Sequence, residues 1–324
     1  MRLIGTLKRN AMNWLRQSNA PLQRVFERQM VMHALSLARD NRDAASLADL
    51  SDVEFSAFSQ WGEDGIIDWL VSRLPNIPQT FVEFGVEDYR ESNTRLLLQL
   101  RNWRGLIMDG SGSHIQDIRR QDIYWRHGLT ANCAFIDRDN INQVLHDGGM
   151  RGEIGLLSVD IDGNDFWVWQ AIEAVNPAIV IIEYNAVFGD LHMLTVPYRA
   201  DFQRTHAHHS NLYFGASLRA LVDLGAEKGY RLVGTTSTGC NAFFVRSDLA
   251  SQILGAISGV WAFPSQVREA RSPQGNLLFL DGEARAGLIA HMPLFNLQSE
   301  SVTNLASCGE LYSSAWKAGR RVMI

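Results

Sequence analysis

The spacing of hydrophobic and polar positions changes near residue 53. Up to about residue 52 the chain reads as helical and polar, with Asp40, Asn41 and Asp43 interrupting the pattern. From Phe55 onward short apolar runs alternate with helical stretches, the pattern of βα units that build a parallel sheet. Strands are predicted over 80–84, 105–108, 131–136, 155–161 and 178–183. The last of these is almost wholly apolar, as expected of a strand covered on both faces. Runs at 231–235 and 242–246 flank a polar stretch and read as an antiparallel hairpin. Helices are predicted over 64–74, 92–100, 166–175 and 217–228, the last closing on Gly229, a natural helix stop. The expected fold is α/β, a doubly wound, seven-stranded, mostly parallel sheet with an antiparallel C-terminal hairpin. A helical N-terminal extension (1–52) precedes the sheet domain (53–250), and a C-terminal extension (251–324) is expected to pack on its core.

Composition narrows the partners. The formal net charge of -5 gives no basic excess for a nucleic acid. Cys133, Cys240 and Cys308 form no CxxC pair, which argues against a zinc ribbon or a disulfide framework and fits a reducing, cytoplasmic setting. No apolar run reaches the roughly 20 residues of a spanning helix, and no cleavable signal pattern opens the chain. The first thirty residues carry Arg2, Lys8, Arg9, Arg16, Arg24 and Arg28 against Glu27 alone, with Ile4, Leu7, Ala11, Trp14 and Leu15 on one helix side. Two readings stand side by side: peripheral contact with an anionic membrane, or packing on the chain's own domain or on a partner in a homo-oligomer.

Doubly wound sheets bind ligands beyond the carboxyl ends of their strands, so acids there matter most. Glu83 precedes Gly85 at the first strand end, where a glycine permits a sharp turn and a carboxylate can hold a cationic amino group. The segment is not GxGxxG, which disfavours a nicotinamide cofactor. Asp109, followed by Gly110, is placed to accept two ribose hydroxyls. Asp137 either flanks a bound adenine or sits in a solvated turn.

The densest group is Asp160, Asp162, Asn164 and Asp165, beside Glu183 and Asn185 of the next strand. Asp160, Asp162, Glu183 and Asn185 are candidate ligands of a hard divalent cation such as Mg2+, which acidifies a bound hydroxyl. Strand alternation sends Asp160 and Asp162 to one side if the strand reaches them. Asn164 or Asp165 also suits a helix N-cap. Without a metal, Asp160 serves as a general base. Among the histidines at 192, 206, 208 and 209, His192 and His208 are further candidates, although H-A-H-H is no zinc pattern.

Several segments together resemble the FkbM-like family of class I S-adenosyl-L-methionine (SAM)-dependent methyltransferases, bacterial enzymes of glycan or natural-product O-methylation. They are Phe58-Ser59-Gln60-Trp61-Gly62-Glu63-Asp64-Gly65, Phe81-Val82-Glu83-Phe84-Gly85, Ser92-Asn93-Thr94, Trp103-Arg104-Gly105, Leu157-Ser158-Val159-Asp160-Ile161-Asp162, Ile182-Glu183-Tyr184-Asn185 and Asn241-Ala242-Phe243-Phe244-Val245-Arg246. The resemblance covers about residues 55–250 and implies a Rossmann-like fold whose parallel series closes in an antiparallel hairpin. It implies that the Gln60 to Asp64 segment, with Glu63, and Glu83 to Gly85 border SAM and that Asp109 takes its ribose; Asn93, Gly110 and Asp137 are further candidates for the cofactor site. Asp160 and Glu183 match positions where related sugar methyltransferases place metal ligands. The chain departs from many methyltransferases at Val86-Glu87-Asp88, which adds negative charge where a second small residue is usual.

The expected activity is O-methylation of a hydroxyl on a saccharide or glycan-related small molecule, with a divalent metal assisting. The alternatives are a metal-dependent glycosyltransferase using Asp160-Ile161-Asp162 as a DxD motif, or a non-catalytic module on a methyltransferase scaffold.

Overall fold

The computed structural model describes residues 2–44 and 46–324, without the side chains of 2–21 and 23. The amphipathic stripe through Ile4, Leu7, Ala11, Trp14 and Leu15 therefore lies outside the described residues. The backbone forms one long helix, α1 (Arg2–Asp43). No described helix is long and apolar enough to cross a membrane.

The remaining elements follow in order: α2 (Glu63–Arg73), β1 (Thr80–Phe84), α3 (Arg95–Arg101), β2 (Arg104–Asp109), α4 (Gly112–Arg119), α5 (Asp122–Arg126) and β3 (Leu129–Cys133). Next come α6 (Ile141–Asp147), β4 (Gly152–Val159), α7 (Asp165–Ala171), β5 (Val175–Glu183), β6 (Leu194–Thr195) and α8 (Arg204–Ala207). Then follow α9 (Leu218–Glu227), β7 (Tyr230–Thr235) and β8 (Asn241–Arg246).

Seven strands form one sheet in the order β3-β2-β1-β4-β5-β8-β7. The first five are parallel, and β8 runs antiparallel to both β5 and β7. This is the doubly wound fold with a closing hairpin read from the sequence. The chain starts in the middle at β1, winds outward through β2 and β3, then returns to wind the other way from β4. Between β1 and β4 the connections diverge, which leaves a crevice at their carboxyl ends.

Period-two alternation splits the strand residues between two cores, one per face. Val82, Phe84, Leu157, Val159, Val180 and Ile182 pack with α6, α7 and α9 through Leu145, Trp169 and Leu221. Phe81, Leu156, Ile179 and Ile181 face the other way, against Ile66, Trp69 and Leu97 of α2 and α3. Helices thus cover both faces, which is why β5 reads as an unbroken apolar run. The first core also takes in Ala262, Ile289, Leu294, Tyr312 and Trp316 from the last quarter of the chain.

Several boundaries differ from expectation, among them the end of β3 at Cys133 and of α7 at Ala171, and two have a visible reason. Helix α3 starts at Arg95 rather than Ser92, because the backbone N–H groups of Asn93 and Thr94 are donated to the Glu83 carboxylate (2.8 and 3.1 Å). Strand β4 stops at Val159, before Asp160. The chain then turns tightly: Asp162 has φ +55°, and the Asp165 carboxylate accepts from the N–H groups of Ile161 (2.8 Å) and Gly163 (2.9 Å). Asp160 and Asp162 are therefore brought together by a turn, not by strand alternation. Asn164 occupies the N-cap of α7 without a side-chain cap bond, and the Asp165 carboxylate binds the turn instead.

Candidate active site at the carboxyl edge

A cavity of about 500 Å³ lies along the carboxyl ends of β1, β2, β4 and β5, over the topological switch point. This volume is in the range of small-molecule sites.

At the β1 end, Gly85 has φ +72°, and a Cβ there would sit 1.8 Å from the backbone oxygen of Asp160. The glycine is needed because the ends of β1 and β4 touch, a closer constraint than any ligand. Glu83 is buried, and its carboxylate accepts from Ser92 Oγ (2.5 Å), Asn93 N, Thr94 N and Thr94 Oγ1. It therefore holds the 92–94 segment as one wall of the cavity. Asn93 lines the same wall and donates to Ser158 Oγ (3.1 Å).

At the β2 end, Asp109 lines the cavity with Gly110. Its Oδ2 accepts from Glu87 N (2.9 Å) and its Oδ1 from Ser111 N (2.7 Å), with His114 Nδ1 at 3.0 Å. Glu87 sits at φ +46°, so the charged first loop is bent back onto Asp109. Beyond β3 the wall is apolar, formed by Ala134, Phe135 and Ile136. Asp137 does not line the cavity; it accepts from Asp139 N and Asn140 N (both 2.8 Å) and fixes the turn into α6.

The other end of the cavity is acidic. Asp160, Asp162 and Glu183 present carboxylate oxygens all within 4.8 Å of one another. Burial first, then mutual repulsion, holds the Asp160 and Glu183 carboxyls well above the usual carboxylate range. Glu183 Oε2 is buried with no hydrogen-bond partner. Against this group lies Arg204 of α8, whose Nη1 donates to Asp162 Oδ1 (2.6 Å) and Nη2 to Glu269. Its Nε donates to Asn211 O (2.7 Å), and the guanidinium stacks 3.9 Å from the centre of the Phe214 ring.

Other candidates are placed elsewhere. Asn185 is buried and spent on backbone groups: Nδ2 donates to Leu212 O and Phe214 O (both 2.9 Å), and Oδ1 accepts from Val187 N (3.0 Å). It pins the loop behind the acids and is not in the carboxylate group. His192 Nε2 bonds the carbonyl of Glu310 (2.8 Å), and His208 bonds Ser210 Oγ (2.7 Å) and stacks on His209. Neither lines the cavity. Gln60 does line it, whereas Glu63 and Asp64 stand behind. Glu63 accepts from Trp61 N (3.0 Å) and Asn241 Nδ2 (2.8 Å). Asp64 accepts from the N–H groups of Ala57, Phe58 and Ser59, and burial pushes its carboxyl up to about 6 despite those bonds. Both shape the loop that carries Gln60. Arg204, His114 and Phe135 were not singled out in the sequence, where no motif surrounds them.

No protein-family model and no curated protein matches the chain. Solved structures similar to it are SAM-dependent methyltransferases and related domains. The N-terminal domain of EvdMO1 with SAH bound is 9% identical over 55% of this chain and 77% of that one, with a TM-score of 0.36. A SAM-dependent methyltransferase from Clostridium acetobutylicum ATCC 824 is 9% identical over 57% and 90%, with a TM-score of 0.38. The pyocyanin biosynthetic protein PhzM is 13% identical over 56% of each chain, with a TM-score of 0.35. Likenesses this distant carry no argument about activity; strand order and side-chain geometry of the chain itself do.

Proposed function

We propose that this protein is a SAM-dependent O-methyltransferase acting on a hydroxyl of a saccharide or glycan-related metabolite. The observation that supports it is one continuous cavity across the switch point, with Asp109 at one end and three converging carboxylates at the other. The strand order, with β8 antiparallel between β5 and β7, is the class I methyltransferase layout, and the sequence segments noted above resemble its FkbM-like branch.

The residues fit the groups the reaction needs. Asp109 is positioned for ribose hydroxyls, and the apolar wall of Ala134, Phe135 and Ile136 suits a flat base. The unpartnered Glu183 oxygen and its two neighbours suit a hard cation with oxygen ligands. When bound, SAM supplies a methyl group on a sulfonium, and a divalent cation acidifies a hydroxyl beside it. Where no cation occupies the carboxylates, Asp160 would take the proton of the acceptor hydroxyl as general base. Its raised affinity for a proton matches that task. Holding both partners in one cavity provides the alignment that in-line transfer requires.

Calorimetry with SAM and SAH, with and without Mg2+, tests the reading. Wild type is expected to bind both, and Asp109→Ala to bind at least about tenfold more weakly, as for a lost charge-assisted hydrogen bond. Unchanged affinity removes the ribose role of Asp109. Binding of a UDP-sugar in place of SAM replaces methyl transfer with glycosyl transfer, and binding of neither leaves a non-catalytic module.

A further inference from the structure

A second cavity of about 100 Å³ opens beside the first and shares Asp160, Glu183 and Arg204 with it. Its far wall comes from the last quarter of the chain and includes Ser265, Val267, Glu269 and Arg285. Arg285 projects from the helix Gly282–Leu288 and is only 4% exposed. Its Nη1 donates to Val267 O (2.8 Å) and Ser265 Oγ (3.3 Å), and its Nη2 to Ser265 O (2.8 Å). Nε is buried with no partner.

The two arginines of this cavity differ in one respect. Arg204 is neutralised by Asp162 and Glu269. Among the described residues no carboxylate lies within ion-pair distance of Arg285. A guanidinium stays charged in proteins, and carbonyl dipoles solvate such a charge without cancelling it. Asp281 and Glu269 act on Arg285 only from beyond ion-pair distance, and a buried charge without a direct counter-ion is costly. In a cavity wall beside the reacting groups, that counter-ion belongs to a ligand.

We infer that Arg285 receives an anionic group of the methyl acceptor, a carboxylate or a phosphate, so that the acceptor is an acidic saccharide. This inference rests on the adjoining cavity being the methyl-transfer site. The smaller cavity accommodates the anion and little more, so the reacting hydroxyl and the anion are a few bonds apart on one ring. Asp160 and Glu183 repel an anion at close range; a divalent cation on them removes that repulsion. The acceptor therefore binds best when the cation is present.

Calorimetry on the full chain with SAH and Mg2+ tests this, using D-glucuronate, glucose 6-phosphate, and the neutral D-glucuronamide and D-glucose. At least one acid is expected to bind about tenfold more tightly than its neutral counterpart, the scale of a charge-assisted hydrogen bond in a desolvated site. The two acids distinguish a carboxylate from a phosphate. Arg285→Gln is expected to abolish the preference while SAH affinity stays unchanged. Equal binding of acids and neutral sugars by wild type overturns the inference, as does a preference that survives in Arg285→Gln. Should that variant fail to fold, the wild-type contrast between glucuronate and glucuronamide decides alone. Loss of SAH binding by wild type is a separate failure, of the methyl-transfer reading, and the same sugar contrast without SAH then decides whether Arg285 takes an anion.

Discussion

Replacing Glu183 by glutamine is expected to stabilise the protein at neutral pH. Asp160 and Glu183 hold carboxylate oxygens within 4.8 Å, and at an effective dielectric constant of about 20 two ionised carboxylates at that distance repel by roughly 3 kcal/mol. Arg204 offsets part of this and keeps Asp162 and Glu269 as partners in the variant, so a net gain of about 2 kcal/mol is expected. That raises Tm by about 3 °C in a protein of this size. The sign follows from linkage. Both folded carboxyls hold their protons more tightly than in the unfolded chain. Well below about pH 4, where the unfolded carboxyls are themselves protonated, the penalty vanishes. As pH rises, the unfolded chain ionises freely while the folded pair resists, so wild type loses stability relative to the variant. Scanning calorimetry at pH 4 and pH 8 is expected to show nearly coincident Tm values at the lower pH and the full gap at the higher. Mn2+ at pH 8 is expected to raise wild type more than the variant, because the cation performs the neutralisation that the substitution imitates. A variant equal to or less stable than wild type at pH 8 refutes the reasoning. A gap of the same size at pH 4 refutes it too, since it would come from packing.

Two further substitutions separate fold from chemistry. Gly85→Ala forces a Cβ against the Asp160 carbonyl at φ +72°; it is expected to cost about 2–5 kcal/mol from backbone strain and overpacking, read as a lowered urea midpoint. Asn185→Ala strands the buried carbonyls of Leu212 and Phe214 and is expected to cost about 2–4 kcal/mol. Its Mn2+ affinity, measured by calorimetry on the folded fraction, is expected to stay within about threefold of wild type, whereas a ligand's loss would reduce it much more.

The parts of this molecule that were legible in the sequence are those set by local pattern. β5 shows itself because both its faces are buried, and the closing hairpin because two apolar runs flank a polar turn. The strand-end acids Glu83, Asp109, Asp160 and Glu183 all reach one cavity. What stayed hidden depends on contacts between distant segments. Arg204 reaches Asp162 across 42 positions and Glu269 across 65, with no motif around Arg204 or Glu269. Arg285 enters the smaller cavity from a stretch whose mixed composition shows no periodic signal. The N-terminal end of α3 is not legible because Ser92, Asn93 and Thr94 have the composition of a helix start, yet they serve as donors to Glu83.

Acidic residues at strand ends have two physical fates that a sequence does not distinguish. A carboxylate with backbone N–H groups in reach is tied into its own loop by them. Glu63, Asp64, Asp137 and Asp165 follow this course, as does Glu83 with four donors. Asp64 and Asp165 show its cost: burial lifts both carboxyls to about 6 even though donors surround them. Asp160 and Glu183 took the other course. They are pressed together at the switch point with an oxygen left unpartnered, so folding gains nothing from their charge. A bound cation or a transferred proton is what relieves them. Substitutions in the first group should therefore change stability first, and those in the second should change ligand binding and turnover while leaving the fold as stable or more so.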